Sequence, residues 1–303
     1  MDTDTLHEFG KHPDWNESFY FNFYDRKIDV FAFMRIGLKP NRNEKSSFCF
    51  LMMPDGSLLG TKGENPADNT QLKVGDLRFE KVVPEKKWRL TFSGRVDKHA
   101  GKMSTHEQAS FELDFECLNQ AFDYRQCVTG VKEKISEEIA SQHFEQFGKV
   151  TGRLALGENE YSVTGLGERD HSWGVREWNA PKMWIWLTCQ FSESSALNVT
   201  KLVMDAGEVD AGFIHINGKN VPITKVDIET RYDQSGSPRA LRMTVEDKEG
   251  STHDVTAEVM RPAVLPFPGR DGKSLSLLHE NLAKYLMNSQ VGFGVAEYLI
   301  RTR

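Results

Sequence analysis

Between Gly165 and Trp178 the chain reads Gly-Leu-Gly-Glu-Arg-Asp-His-Ser-Trp-Gly-Val-Arg-Glu-Trp, and no other stretch of the 303 residues crowds titratable and aromatic groups so closely. Extended backbone sends alternate side chains to opposite faces, which puts Glu168, Asp170 and Ser172 on one side and Arg169, His171 and Trp173 on the other. Two carboxylates so spaced lie roughly 6.6 Å apart along a strand. In a pocket closed from water such neighbours cannot both ionise cheaply, and one keeps its proton near neutral pH. The chemistry indicated is proton transfer, with one of Glu168 and Asp170 kept protonated as a donor. Arg169 and Arg176 would instead hold the acid ionised if they reached it. Extended geometry directs Arg169 to the opposite face, unless the flanking glycines introduce a bulge. Surface ion pairing around a turn is the competing reading of the same residues.

The elements around this stretch are strands. Phe19, Phe21 and Phe23 alternate with Tyr20, Asn22 and Tyr24, and Val30 to Ile36 continues in β-prone residues. Pro54-Asp55-Gly56-Ser57 marks a hairpin turn, because Pro presets φ and Gly accepts positive φ. Phe111, Leu113, Phe115 and Cys117 face one way and Glu112, Asp114 and Glu116 the other, the pattern of a sheet with one wet face. Helical charge and Ile spacing over Val131 to Ala140 predicts a short helix or ordered loop. Strand signals resume at Gly148, turn at Gly157 to Glu160, and return into the chemical stretch, which therefore sits on the second arm of a hairpin. Met183 to Phe191 places Trp184 and Trp186 on one face and Ile185 and Leu187 on the other. The tryptophan face is the candidate pocket wall, shared with the Glu168 and Asp170 face, with Trp178 and Tyr20 as further wall residues. Asn217-Gly218 is a second hairpin turn. Leu275 to Tyr285 suits either a helix or one arm of a closing hairpin.

Composition narrows the function. With 44 acidic and 38 basic residues the net charge is −6 and no dense basic run occurs, so nucleic acid is not an expected partner. No apolar run approaches a membrane span and the first residues lack a secretory pattern, which points to the cytoplasm. Cys49, Cys117, Cys127 and Cys189 lack Cys-x-x-Cys spacing and fit buried thiols in a reducing compartment. Gly165-Leu166-Gly167 lacks the third glycine of a dinucleotide fingerprint, and neither a phosphate-binding loop nor a nucleophile elbow is present. His143 with Glu145, and His279 with Glu280, are isolated pairs that fit hydrogen-bonded histidines better than metal ligands. No cofactor and no metal is expected.

The stretch from Gly165 to Gly174 resembles the Gly-x-Gly-Tyr-x-Asp-His-Asn-Trp-Gly signature of the carotenoid 1,2-hydratase and AttH-like superfamily, which includes hydratases, cyclases and lipocalin-like Diels–Alderases. Asp170 matches the Asp regarded there as the acid that protonates an alkene, and His171, Trp173 and Gly174 match the residues after it. Glu168 stands in place of Tyr and Ser172 in place of Asn. Asn16 to Phe23, His143 to Gly148 and Gly292 to Leu299 also look like the AttH-like group, so the resemblance spans nearly the whole chain.

The resemblance implies an all-β architecture of two lipocalin-like (calycin-like) antiparallel barrel or sandwich halves packed together. The expected domains are residues 1–148 and 149–303, the second carrying the motif. The expected activity is that of a cofactor-independent acid/base enzyme, a lyase of hydratase or dehydratase type or an isomerase or cyclase. Its substrate would be a small hydrophobic molecule of terpenoid or polyketide kind. Asp170 and Glu168 are the catalytic candidates, supported by Arg169, His171, Trp173, Arg176, His143 and Glu145. Trp178, Trp184, Trp186 and Tyr20 are the candidate substrate-binding residues. The alternative is a non-catalytic carrier of a lipid or other hydrophobic metabolite. Self-association stays open.

Overall fold

The computed structural model describes residues 4–68, 70–101, 103–136, 142–176, 180–268 and 273–302. Strand makes up 72% of it and helix 4%, so the all-β expectation holds. By contacts the chain divides into one unit of Met1–Ala121 with His143–Val175 and a second of Phe122–Gln142 with Arg176–Arg303. The borders differ from a single cut at 148 because the hairpin before Val175 hydrogen-bonds into the first sheet.

In chain order the first strands are β1 (Trp15–Asp25), β2 (Val30–Lys39), β3 (Glu44–Met52), β4 (Leu58–Asn65), β5 (Leu72–Val74), β6 (Leu77–Val83), β7 (Lys87–Ala100) and β8 (Met103–Cys117). After β9 (Phe122–Asp123) and the short helix α1 (Val131–Ser136), both in the second unit, come β10 (Gln142–Leu156) and β11 (Asn159–Val175). The helix meets the expectation for Val131 to Ala140 as far as Ser136, and residues 137–141 lie outside the described residues.

The first sheet runs β4-β3-β2-β1-β11-β10-β8-β7-β6-β5, and β4 also pairs with β7 from Leu58↔His99 to Gly60↔Asp97, which closes a ring. Phe19, Phe21 and Phe23 of β1 point into this ring with Met34, Trp88, Leu113 and Phe115, as the alternation predicts. Every residue of β1 is nevertheless buried, so its outward set Asn16, Ser18, Tyr20 and Asn22 is polar and inaccessible at once. The turn between β3 and β4 forms as read: Gly56 has φ +79° and Asp55 Oδ1 accepts the Ser57 N–H at 2.9 Å.

The remaining strands are β12 (Met183–Ser192), β13 (Ser195–Met204), β14 (Gly207–Ile216), β15 (Lys219–Tyr232), β16 (Pro238–Asp247), β17 (Thr252–Arg261), β18 (Val264–Pro268), β19 (Leu275–Met287) and β20 (Gln290–Arg301). Their order is β17-β16-β15-β14-β13-β12-β20-β19-β18, and a β17–β19 pairing closes an eight-strand antiparallel barrel. Ile185, Leu187 and Cys189 fill its interior with Val199, Val245, Tyr285 and Tyr298. Asn217 and Gly218 turn between β14 and β15 with φ of 49° and 85°, the left-handed pair that a tight hairpin requires. Leu275 to Tyr285 is strand, and the hairpin with β20 turns at Asn288 and Ser289 in the same left-handed region.

Candidate functional site

β1 and β11 pair without interruption from Trp15↔Val175 to Tyr24↔Leu166. The glycines of the motif therefore introduce no bulge between these strands. They allow close approach instead: a Cβ at Gly167 would fall 1.8 Å from the Asn22 carbonyl oxygen, and one at Gly165 would fall 2.9 Å from that of Tyr24. The register sets Glu168 across from Asn22, Asp170 across from Tyr20 and Ser172 across from Ser18.

The inward set, Arg169, His171 and Trp173, is locked into the first unit. The Arg169 guanidinium pairs with Asp4 at 2.7 Å, donates through Nε to Gln146 Oε1 at 2.8 Å and lies 5.6 Å from the Trp88 ring centroid. The Arg169 side chain thus lies on the strand face opposite to that of Asp170. His171 stacks on Phe19 at 3.9 Å and places Nε2 2.9 Å from Glu17 Oε1. That oxygen also lies 2.7 Å from His7 Nδ1, and the His7 ring stacks on Trp173 at 3.6 Å. Trp173 packs with Trp15 and Phe144.

The outward set faces a different company. His143 and Glu145 alternate on β10 and meet Asp170: His143 Nε2 lies 2.6 Å from Asp170 Oδ2 and 2.8 Å from Glu145 Oε1. Ser172 Oγ donates to Asp170 Oδ1 at 3.3 Å. Burial by itself would lower the His143 pKa; the charges of Asp170 and Glu145 outweigh it and raise the imidazole from its ordinary 6.5 to about 9. Burial pushes Glu145 up to about 7, against the opposing pull of His143. The site is therefore a buried imidazolium held between the acidic side chains of Asp170 and Glu145. Asp170 has the most exposed of the side chains at these two ion-pair contacts, at 15%.

Among the described residues, His143, Glu145 and Asp170, and also His7, Glu17 and His171, bring ligand-type atoms within 4.8 Å of one another. Ligands about 2.0–2.2 Å from a tetrahedral cation lie roughly 3.4 Å apart. The contacts here, between 2.6 and 2.9 Å, have the spacing of shared protons. His279 and Glu280 are adjacent on β19 and so point to opposite faces, which separates that imagined pair.

The other candidates fall in the second unit. Trp184 and Trp186 are buried on one face of β12, with Trp186 between Thr200 and Glu297. Arg176 places its guanidinium 5.4 Å from the Trp184 ring centroid. Trp178 lies outside the described residues. Sequence reading missed Glu17, Asp4 and His7, since Glu17 meets His171 across 154 positions, Asp4 pairs with Arg169 and His7 stacks on Trp173. It also missed Asn22 and Gln146, although their alternation on β1 and β10 was available as a signal. Two open grooves, about 990 Å³ in the first unit around Arg153 and about 820 Å³ in the second around Arg242, include no motif residue.

The two-barrel fold is that of the AttH-like and hydratase proteins. A candidate AttH from Nitrosomonas europaea superposes with a TM-score of 0.66 over 98% of this chain and 97% of that one, at 14% identity. CghA crystallised with Sch210972 gives 0.60 over 98% and 93%, at 12% identity. Kievitone hydratase from Nectria haematococca gives 0.58 over 95% and 89%, at 10% identity. At such identities the likeness is one of fold. The chain belongs to the domain family of unknown function DUF7064, whose family model matches residues 1–302. No curated protein matches it by sequence. No helix among the described residues is long and apolar enough to cross a membrane.

Proposed function

We propose that this chain is an acid/base enzyme of hydratase or dehydratase, isomerase or cyclase type acting on a small hydrophobic molecule. One observation carries the reading: His143 Nε2 lies 2.6 Å from Asp170 Oδ2, with an imidazole pKa near 9. The proton held by the His143 imidazolium passes through Asp170 to a substrate carbon, which leaves His143 neutral and Asp170 ionised, and a proton from solvent restores the imidazolium. In the reverse sense the same pair receives a proton. Glu145, raised to about 7 by burial, limits the negative charge around His143 as it cycles. Such a set is costly to desolvate for packing alone. The presence of a hydratase among proteins of the same fold supports the reaction type.

Hydration, isomerisation and proton-initiated cyclisation place a solvent-derived proton on carbon, and dehydration followed in its reverse sense does the same, which makes deuterium the assay. A panel of small hydrophobic alkenes, alcohols and ketones is incubated with the protein in D₂O and analysed by mass spectrometry. The expected result is deuterium incorporation or addition of water for one class, slowed about 10²–10⁴-fold by Asp170→Asn in a protein that still folds. Ligands that bind and return unchanged, or turnover indifferent to Asp170→Asn, would refute the proposal, the former leaving a carrier.

A further inference from the structure

Asn22 lies on β1 directly across from Glu168, on the face that carries Tyr20 and Asp170. Its Oδ1 accepts the backbone N–H of Glu168 at 3.3 Å. A backbone N–H can only donate, so this bond fixes which end of the amide is the oxygen. The other end, Nδ2, has no hydrogen-bond partner among the described residues, although Asn22 is 2% exposed. Leaving such a donor buried and unsatisfied is unfavourable, and native proteins seldom do so without a ligand or ordered water to receive it. Asn is also a poor strand residue, and the bond to the Glu168 N–H engages only the oxygen end of its amide.

The surroundings say what the amide receives. Glu168, Asp170 and Glu145 are acceptors when ionised, and an oxygen atom of a substrate placed among them would be repelled. The Asn22 amide adds a neutral donor beside them. We infer that Asn22 is a substrate-binding residue whose amide N–H groups hold a carbonyl or hydroxyl oxygen next to the Asp170 acid. The substrate is then an oxygenated apolar molecule and not a bare hydrocarbon. This rests on the acid/base reading and adds the substrate class to it. A preorganised donor of this kind also stabilises charge that develops on a carbonyl oxygen when the neighbouring carbon exchanges a proton. Asn16 has an unpartnered Nδ2 as well, but it lies across from Gly174, away from the carboxylates, and is no part of the inference.

The test compares two probes by isothermal titration: geranylacetone, and the hydrocarbon in which its ketone oxygen is replaced by a methylene group. One hydrogen bond predicts that the wild-type protein binds the ketone about tenfold more tightly. In Asn22→Leu the ratio should fall to about one, with hydrocarbon affinity changed by no more than about twofold. Asn22→Ser serves in the same way if the leucine variant fails to fold by circular dichroism. Equal binding of both probes by the wild-type protein, or a ketone preference that survives in the variants, overturns the Asn22 assignment and leaves the acid/base reading standing. Failure of the wild-type protein to bind either probe counts against the hydrophobic-substrate reading, and the assignment falls with it.

Discussion

The imidazole of His143 should titrate near pH 9 in the folded protein, and this single property can be followed through stability as well as by spectroscopy. A folded pKa raised above the unfolded value means that the folded state holds the proton more tightly. The resulting stabilisation is complete below the ordinary 6.5 and is lost as the pH rises through about 9. At about 1.4 kcal/mol per pH unit, the span from 6.5 to about 9 corresponds to about 3 kcal/mol. Glu145, also raised, acts in the same direction over the lower window from 4.5 to about 7, since its folded form keeps a proton that the unfolded chain gives up. His143→Gln removes the cation and leaves the carboxylates without it, a loss of about 3–5 kcal/mol near neutral pH. Below pH 5 the carboxylates take up protons and the loss shrinks; above pH 9.5 the wild-type imidazole is neutral too and the two proteins converge. Long-range proton–nitrogen correlation spectra give the imidazole midpoint directly, and urea unfolding of both proteins from pH 5 to 9.5 gives the stability difference. A midpoint at or below 6.5, or a stability difference that does not vary with pH, would refute this account of the site.

Two further outcomes follow from packing and burial. Gly167→Ala forces β1 and β11 apart, because the added Cβ meets the Asn22 carbonyl oxygen at 1.8 Å; a loss of about 1–3 kcal/mol or more is expected, read as a drop of several degrees in melting temperature, and an unchanged melt would contradict the register. Burial pushes the Cys49 thiol up to about 12 and those of Cys117 and Cys127 to about 11. Iodoacetamide at pH 8 should therefore label these three only after denaturation, as mass spectrometry can show.

The division of the motif into two faces was legible because it depends only on strand alternation, and β11 keeps that alternation without a break from Leu166 to Val175. The strands around Phe19, Phe111 and Trp184 were legible for the same reason. What alternation cannot supply is partnership across the chain. His143 and Glu145 stood as supporting residues, but their convergence on Asp170 depends on β10 lying beside β11. Glu17 meets His171 across 154 positions, and Asp4 pairs with Arg169 from the first turn of the chain. The same gap hid the neighbour of Asp170: a like-charged group at Glu168 was expected beside it, whereas the contact at 2.6 Å is with the imidazole of His143.

The unbroken pairing of β11 with β1 has a bearing on how such a protein can change over generations. Residues 168, 170 and 172 form the face proposed for proton chemistry, while 169, 171 and 173 anchor the barrel through Asp4, Gln146, Glu17 and the Phe19 ring. An insertion or deletion of one residue would exchange the two sets and bury the carboxylates where the guanidinium and imidazole belong. Substitutions at the even positions, by contrast, leave every anchor in place. Descendants can therefore explore new reactions by altering every second residue of one strand, under a length constraint that the chemistry itself does not impose.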